Sequence, residues 1–363
     1  MLRRRTFLKT SVALGAAAML KPTLAFAEEG AFAPAPGAWR TFELRTRIDL
    51  AAVKGSARAW IPVPTFVSNG WTRPEPSTFS GNAASATLIE GPVGMVAAEW
   101  SGGAAAPVIE VVSRVQTRDR AVDLTAKGAT LSSEEKARYL APSDLIPIDG
   151  IVAETAKIAV GSASTDREKA EAIYQWVVEN THRDAKVRGC GLGDVATMLE
   201  SKNLGGKCAD INALYVGLAR AAGLPARDVY GIRVAPSRFG YKSLGANSET
   251  VTKAQHCRAE VWLDGPGWVP VDPADVRKVA LEEPPAKRPL DDAKVAAARK
   301  TLFGAWETNW VAFNDAHDVE LPGSSGGKLG FLMYPQAETV AGRLDCLDAD
   351  GFTYAITARE IVA

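Results

Sequence analysis

Three residues in this 363-residue chain have the types and order that thiol-based acyl transfer needs: Cys208, His256 and Asp272. A thiolate attacking a carbonyl needs a base to form it and an acid to protonate the leaving amine. One imidazole steadied by a carboxylate does both. Cys208 falls in GGKCADINALYVGLARAAGLP (205–225), at the first turn of a predicted helix. Unpaired amides and the positive end of the macrodipole favour an anion there, and a cysteine's pKa can fall to about 3.5–7.5. His256 lies in the strand-like run AQHCRAEVWL, and Asp272 ends the next run, GWVPVDPAD, after the turn DGPG. Hairpin pairing of the two runs brings imidazole and carboxylate together.

The elements that must position these groups are legible as patterns. Ile211, Leu214, Tyr215 and Leu218 recur at i, i+3, i+4 and i+7, one apolar face of a helix that docks on a core. Gly205-Gly206 turns the chain into that helix, and Gly223-Leu224-Pro225 ends it. Upstream, Ile151–Val160 and Asp166–Asn180 read as helices, the second with Thr165 and Glu168 as a capping box. A Gly-rich loop, HRDAKVRGCGLGD, and a short helix near Asp194–Glu200 follow. Beyond the cysteine helix, ARDVYGIRVA reads as a strand and 238–253 as a long loop. Helix first, then hairpin, gives an α+β core over 143–290. Ahead of it, residues 39–142 alternate apolar and polar residues in short runs, as in WRTFELRTRIDL, and contain no His or Cys: a β-rich N-terminal domain. After it, a connector runs into a helix, and strand-like runs at 310–313, 330–334 and 351–356 mark a C-terminal extension, 291–363.

Three blocks in order, G-K-C-A-D with its helix, Q-H-C-R-A-E-V-W-L and G-W-V-P-V-D-P-A-D, resemble the transglutaminase-like superfamily over about residues 145–280. The resemblance implies a papain-like core, a cysteine helix packed on an antiparallel sheet. It makes Cys208 the nucleophile, His256 the base and acid, and Asp272 the group that orients the imidazole. The whole chain also resembles exported bacterial members with an N-terminal β domain. One departure stands out: where His-x-Trp-x-Glu is the commoner pattern, this chain has His256-Cys257-Arg258-Ala259-Glu260. With period two, His256, Arg258 and Glu260 share a face and Cys257 points away. Arg258 thus replaces a cleft aromatic. It either binds a substrate carboxylate or phosphate, which favours an acidic peptide, or pairs with Glu260.

Arg258, Glu260 and Asn203 are the candidate substrate-binding residues. The Cys208 amide is one oxyanion donor, and Asn203 and Lys202 occupy loop positions where a second donor is needed. His182 and His317 have no comparable partners and are expected in surface or hydrogen-bonding roles. A zinc site built from Cys208, His256, Cys257 and Asp272 has suitable ligand types, but adjacent strand residues face opposite ways, and neither metal nor cofactor is expected. Four cysteines, 190, 208, 257 and 346, are too few for a disulfide scaffold. Cys190 either bridges to Cys257 or lines the cleft. Trp262 with Trp268 and Trp306 with Trp310 are expected in packing rather than as sugar platforms.

The N-terminus carries Arg3-Arg4-Arg5, an apolar run from Val12 to Leu20 too short to span a bilayer, and Ala25-Phe26-Ala27. This resembles a twin-arginine signal cleaved after Ala27, which implies a periplasmic protein without stable membrane insertion. Residues 28–38 read as a linker. Five of the 42 basic residues lie in the signal, leaving 37 against 42 acidic, about −5, which speaks against nucleic acid as a partner. The expected activity is thioester-mediated acyl transfer on the amides of a peptide or protein substrate. Hydrolysis by a cysteine peptidase or amidase is favoured over transglutaminase cross-linking to amines. The rival from another class is a non-catalytic peptide-binding module that keeps the fold.

Overall fold

The computed structural model describes residues 31–361 except 51, 52, 54 and 103–105, so the signal at 1–27 and the first residues of the linker lie outside it. At its centre is a four-stranded antiparallel sheet. Its strands run in the order Gly267–Val271, Gln255–Leu263, Ala226–Arg233, Trp310–Asn314. The hairpin read from the sequence is present, with Ala259 opposite Val271 and Trp262 opposite Trp268.

The cysteine helix, Cys208–Ala221, packs across this sheet. Every residue from Cys208 to Arg220 is buried, so the helix is enclosed on all sides rather than docked by one face. Small residues permit this. A Cβ at Gly217 would already press on Ile146 and Val195, which shows how closely the chain from the second helical layer approaches. That layer holds the helices Gly150–Val160 and Asp166–Asn180, and the latter has the predicted Thr165–Glu168 capping box. Gly223, at φ +83°, ends the cysteine helix in the left-handed region as expected. Gly205-Gly206 is a short strand parallel to His182-Arg183 rather than a turn.

The β-rich region is a sandwich closed by the far end of the chain. In one sheet Arg40–Asp49 lies between Val108–Thr117 and the C-terminal strand Thr353–Ile361. In the other, Ala57–Pro62 lies between Met95–Trp100 and Gln336–Thr339. Ile48, Ile61, Val96, Trp100, Val111 and Phe352 fill the space between them. Residues 291–361 therefore form no separate extension: they supply an edge strand to the central sheet and strands to both sandwich sheets. The run 330–334 is not a strand. The expected linker is docked as well, since Phe32 is buried against Phe239 and Tyr241, with ring centroids 5.6 and 4.6 Å away. Trp306 and Trp310 are fully buried and pack with Trp71 where sandwich meets core. Among the described residues no helix is long and apolar enough to cross a membrane.

Candidate active site

Cys208, His256 and Asp272 converge. His256 Nε2 lies 2.8 Å from Asp272 Oδ2, and Cys208 lines the same cleft as the imidazole, near enough for His256 to lower the thiol's pKa. With Nε2 engaged by the carboxylate, Nδ1 is the nitrogen left for the thiol. Asp272 caps the helix Pro273–Glu282, its Oδ1 accepting from the Asp275 amide at 3.0 Å. Local chemistry fixes that helix start: an aspartate cap followed by proline at the first helical position. Asn212, one turn after Cys208, donates to Cys257 O at 2.8 Å and to Asp272 Oδ1 at 3.3 Å.

All four cysteines are free, so Cys190 does not bridge to Cys257; it lines the cleft with Cys208 and donates its thiol to Gln255 O at 3.2 Å. Cys257 is fully buried and does not line the cleft. The influence of Cys190 and Cys257, together with His256, outweighs burial and holds the Cys208 thiol well below the ordinary range. Burial and Arg233 press His256 down, but Asp275 and Asp272 more than offset them and raise its pKa. Burial and Asp275 raise Asp272, against His256 and Arg258.

His256, Asp272 and Asp275 have ligand atoms within 4.8 Å of one another, the spacing of a metal site. Two guanidiniums already supply the positive charge an ion would bring. Arg233 bonds Asp275 Oδ1, and Arg258 Nε lies 3.5 Å from Asp272 Oδ2. The donor set is thus part of an ion-pair network, and a cation there would have to displace arginine.

The thiol and imidazole open on a cleft of about 480 Å³, within the ~300–1,000 Å³ of small-ligand sites. Its lining holds six cations, Arg183, Arg188, Lys207, Arg233, Lys253 and Lys278, together with Tyr334, Phe352 and Tyr354 from the C-terminal residues. Burial and Arg233 push the Lys278 ammonium down to about 8. Gln255, next to His256, also lines the cleft, and its Nε2 is buried without a hydrogen-bond partner among the described residues. The Ala209 amide bonds Cys190 O at 2.9 Å, whereas the Cys208 amide has no acceptor among the described residues.

Of the other sequence candidates, none reaches the cleft. Arg258 is 2% exposed, donates to Glu307 O at 2.9 Å, and lies over the rings of Trp306 and Trp310 at 5.2 and 4.9 Å. It neither faces substrate nor pairs with Glu260. Glu260 is instead clasped by Arg120 and Arg227, both of which lie outside its own strand. Asn203 is exposed and accepts from the Gly205 amide at 3.2 Å, shaping the approach to the cysteine helix. His182 is exposed on its short strand. His317 bonds Tyr230 at 3.2 Å and is pushed down to about 3 by burial. Sequence reasoning passed over Gln255, Asn212, Asp210 and the cations. Gln255 and Asn212 sit one and four positions from proposed catalytic residues, a signal that was open to use.

Asp210 shapes the cysteine loop. Its Oδ1 accepts from the Leu192 and Gly193 amides, both at 3.0 Å, and its Oδ2 from the Lys207 amide at 2.9 Å. A Cβ at Gly191, φ +91°, would lie 1.9 Å from Asp210 Oδ2, and one at Gly206 would lie 2.5 Å from Asp210 Cβ. These glycines let the loop fold onto the carboxylate and deliver Cys190 to Cys208.

Comparison with known proteins agrees with this geometry. The profile of the transglutaminase-like superfamily matches residues 153–273. An uncharacterized protein of Haemophilus influenzae is 36% identical over 344 residues, 88% of this chain and 91% of that one. The chain belongs to the transglutaminase-like superfamily. Among solved structures, a candidate cysteine protease from Cytophaga hutchinsonii superposes with a TM-score of 0.55 at 14% identity, covering 91% of this chain and 94% of that one. It shares the fold. The periplasmic domain of TgpA from Pseudomonas aeruginosa matches with a TM-score of 0.37 at 15% identity, over 67% of this chain and 90% of that one.

Proposed function

We propose that this chain is an exported thiol hydrolase that cleaves peptide amides through a thioester on Cys208. The observation that carries this reading is the meeting of Cys208 and His256 in one cleft, with His256 Nε2 held 2.8 Å from Asp272 Oδ2. The thiolate adds to the carbonyl carbon, and the oxyanion settles against the Cys208 amide and Gln255 Nε2. His256, as imidazolium, gives its proton to the amine as the C–N bond breaks, leaving a thioester. Water, deprotonated by His256, then attacks the thioester carbonyl, and the acid leaves as the thiol reforms. The cleft is open, so water competes with any amine acceptor for the thioester, and hydrolysis is the default outcome.

The test is intact-mass spectrometry after iodoacetamide across pH 5 to 9, with Cys208→Ala and His256→Ala as controls. Rapid single labelling that disappears in Cys208→Ala and loses its low-pH arm in His256→Ala supports the reading. A Cys208 that resists alkylation in reduced, folded protein moves the conclusion to a non-catalytic binding module. Export is tested separately: with Arg4→Lys and Arg5→Lys, the full chain should stay in the cytoplasm with residues 1–27 attached.

A further inference from the structure

The cationic lining of the cleft is built into the segments that deliver the site. Arg188 lies two residues before Cys190, Lys207 immediately before Cys208, and Lys253 three before His256. Asp and Glu are absent from the cleft lining among the described residues. Not all of this charge is already satisfied. Arg183, Arg233 and Lys278 have carboxylates behind them in Glu282, Asp275 and Glu282. Arg188 pairs with Asp345 at 2.8 Å, but both side chains are about half exposed or more, so the pair is weak and exchangeable. The ammonium groups of Lys207 and Lys253 have no ion-pair partner among the described residues. A cleft whose only charged lining residues are cations focuses the field on whatever enters.

We propose that the cleft selects peptides carrying a free carboxylate within one or two residues of the scissile amide, held by Lys207 and Lys253 with Arg188 at the rim. The register follows from chain geometry. Lys207 and Cys208 have Cα atoms about 3.8 Å apart, and an extended peptide advances about 3.3 Å per residue. Given the reach of the lysine side chain, a carboxylate on Lys207 therefore belongs to a residue within one or two positions of the amide lying over the thiol. The aromatic residues of the cleft contact the rest of the peptide. This register rests on Cys208 as the nucleophile, whereas the preference for a carboxylate does not.

The experiment measures binding without chemistry. Four tetrapeptides of one sequence carrying an uncharged fluorophore at the N-terminus, with Glu or Gln beside the central amide and a free or amidated C-terminus, are titrated into the Cys208→Ala protein. Peptides with a carboxylate should bind at least tenfold tighter than the doubly neutral one. Raised salt should erode that advantage, and Lys207→Ala with Lys253→Ala should cut it to within threefold. The Glu and C-terminal arms separate a side-chain carboxylate from an α-carboxylate. Equal binding of all four, no saturable binding by any, or an advantage that survives the lysine replacements overturns the proposal. Failure of the hydrolase reading shows elsewhere, as an unreactive Cys208 in the wild-type protein.

Discussion

Asn212 Nδ2 lies 3.3 Å from Asp272 Oδ1, so the helix that presents Cys208 also holds the carboxylate at the far end of the proton relay. Cys208 and Asn212 are i and i+4, on one face. The same amide accepts from the Ala274 backbone at 3.3 Å and donates to Cys257 O, tying three segments together. Asn212→Ala leaves the Ala274 amide and the Cys257 carbonyl, both buried, without this partner, at a cost of about 1–3 kcal/mol each. It also frees Asp272 to turn away from His256. A melting temperature lower by several degrees and a kcat reduced about tenfold or more, at little-changed KM, are expected from calorimetry and peptide turnover. A kcat that is unchanged while stability falls would make Asn212 purely structural.

Two opposed shifts predict the pH profile. Cys208 is held below the thiol range, so activity is lost as pH falls through that depressed pKa and the thiolate is protonated. His256 is raised, so activity is lost as pH rises through its pKa and the proton for the leaving amine disappears. The plot of kcat/KM against pH should be a bell between those limits. Cys190 is the largest influence on the thiolate, so Cys190→Ala should move the acid limb and the alkylation profile to higher pH and leave the alkaline limb in place. An unmoved acid limb would mean that His256 alone sets it.

The parts of this molecule that were legible in the sequence are those whose partners lie close along the chain. The capping box of Asp166–Asn180 and the hairpin that joins His256 to Asp272 each depend on signals within about twenty residues. The sandwich closure does not: Thr41 pairs with Ile361, and no local pattern ties those two residues together. The fate of Arg258 was hidden for the same reason. Period two correctly placed it on the His256 face, but the tryptophans that enclose it come from about fifty residues further on. The cleft cations Arg188, Lys207 and Lys253 lie in loops that show no periodicity to place them.

Arg258 therefore gives a discriminating variant. It is buried, its pKa is lowered to about 10 by burial against the pull of Asp272 and Asp275, and its charge helps to balance those two carboxylates. Arg258→Met keeps an extended side chain against Trp306 and Trp310 and removes that balance. Breaking a buried pair of this kind costs about 3–5 kcal/mol, so denaturant unfolding should show a large loss of stability. The preference for carboxylate peptides should not change, because Arg258 does not line the cleft. Loss of that preference in a stably folded Arg258→Met protein would return the residue to substrate binding.

Gln255 offers the sharpest separation of chemistry from architecture. Its Nε2 is buried and unpartnered among the described residues, and the residue lines the cleft beside His256. An amide left without an acceptor in such a place is costly unless substrate supplies one. The oxyanion formed on thiolate attack is such an acceptor, with the Cys208 amide as the companion donor. Gln255→Ala, and Gln255→Glu with its carboxylate unable to donate, should lower kcat about 10²-fold while KM stays within a few-fold. Alkylation by iodoacetamide displaces iodide at a saturated carbon and builds no oxyanion, so its rate and pH profile should match the wild type. A parallel fall in alkylation would show that Gln255 supports the thiolate itself. Normal turnover in Gln255→Ala would remove it from the oxyanion site.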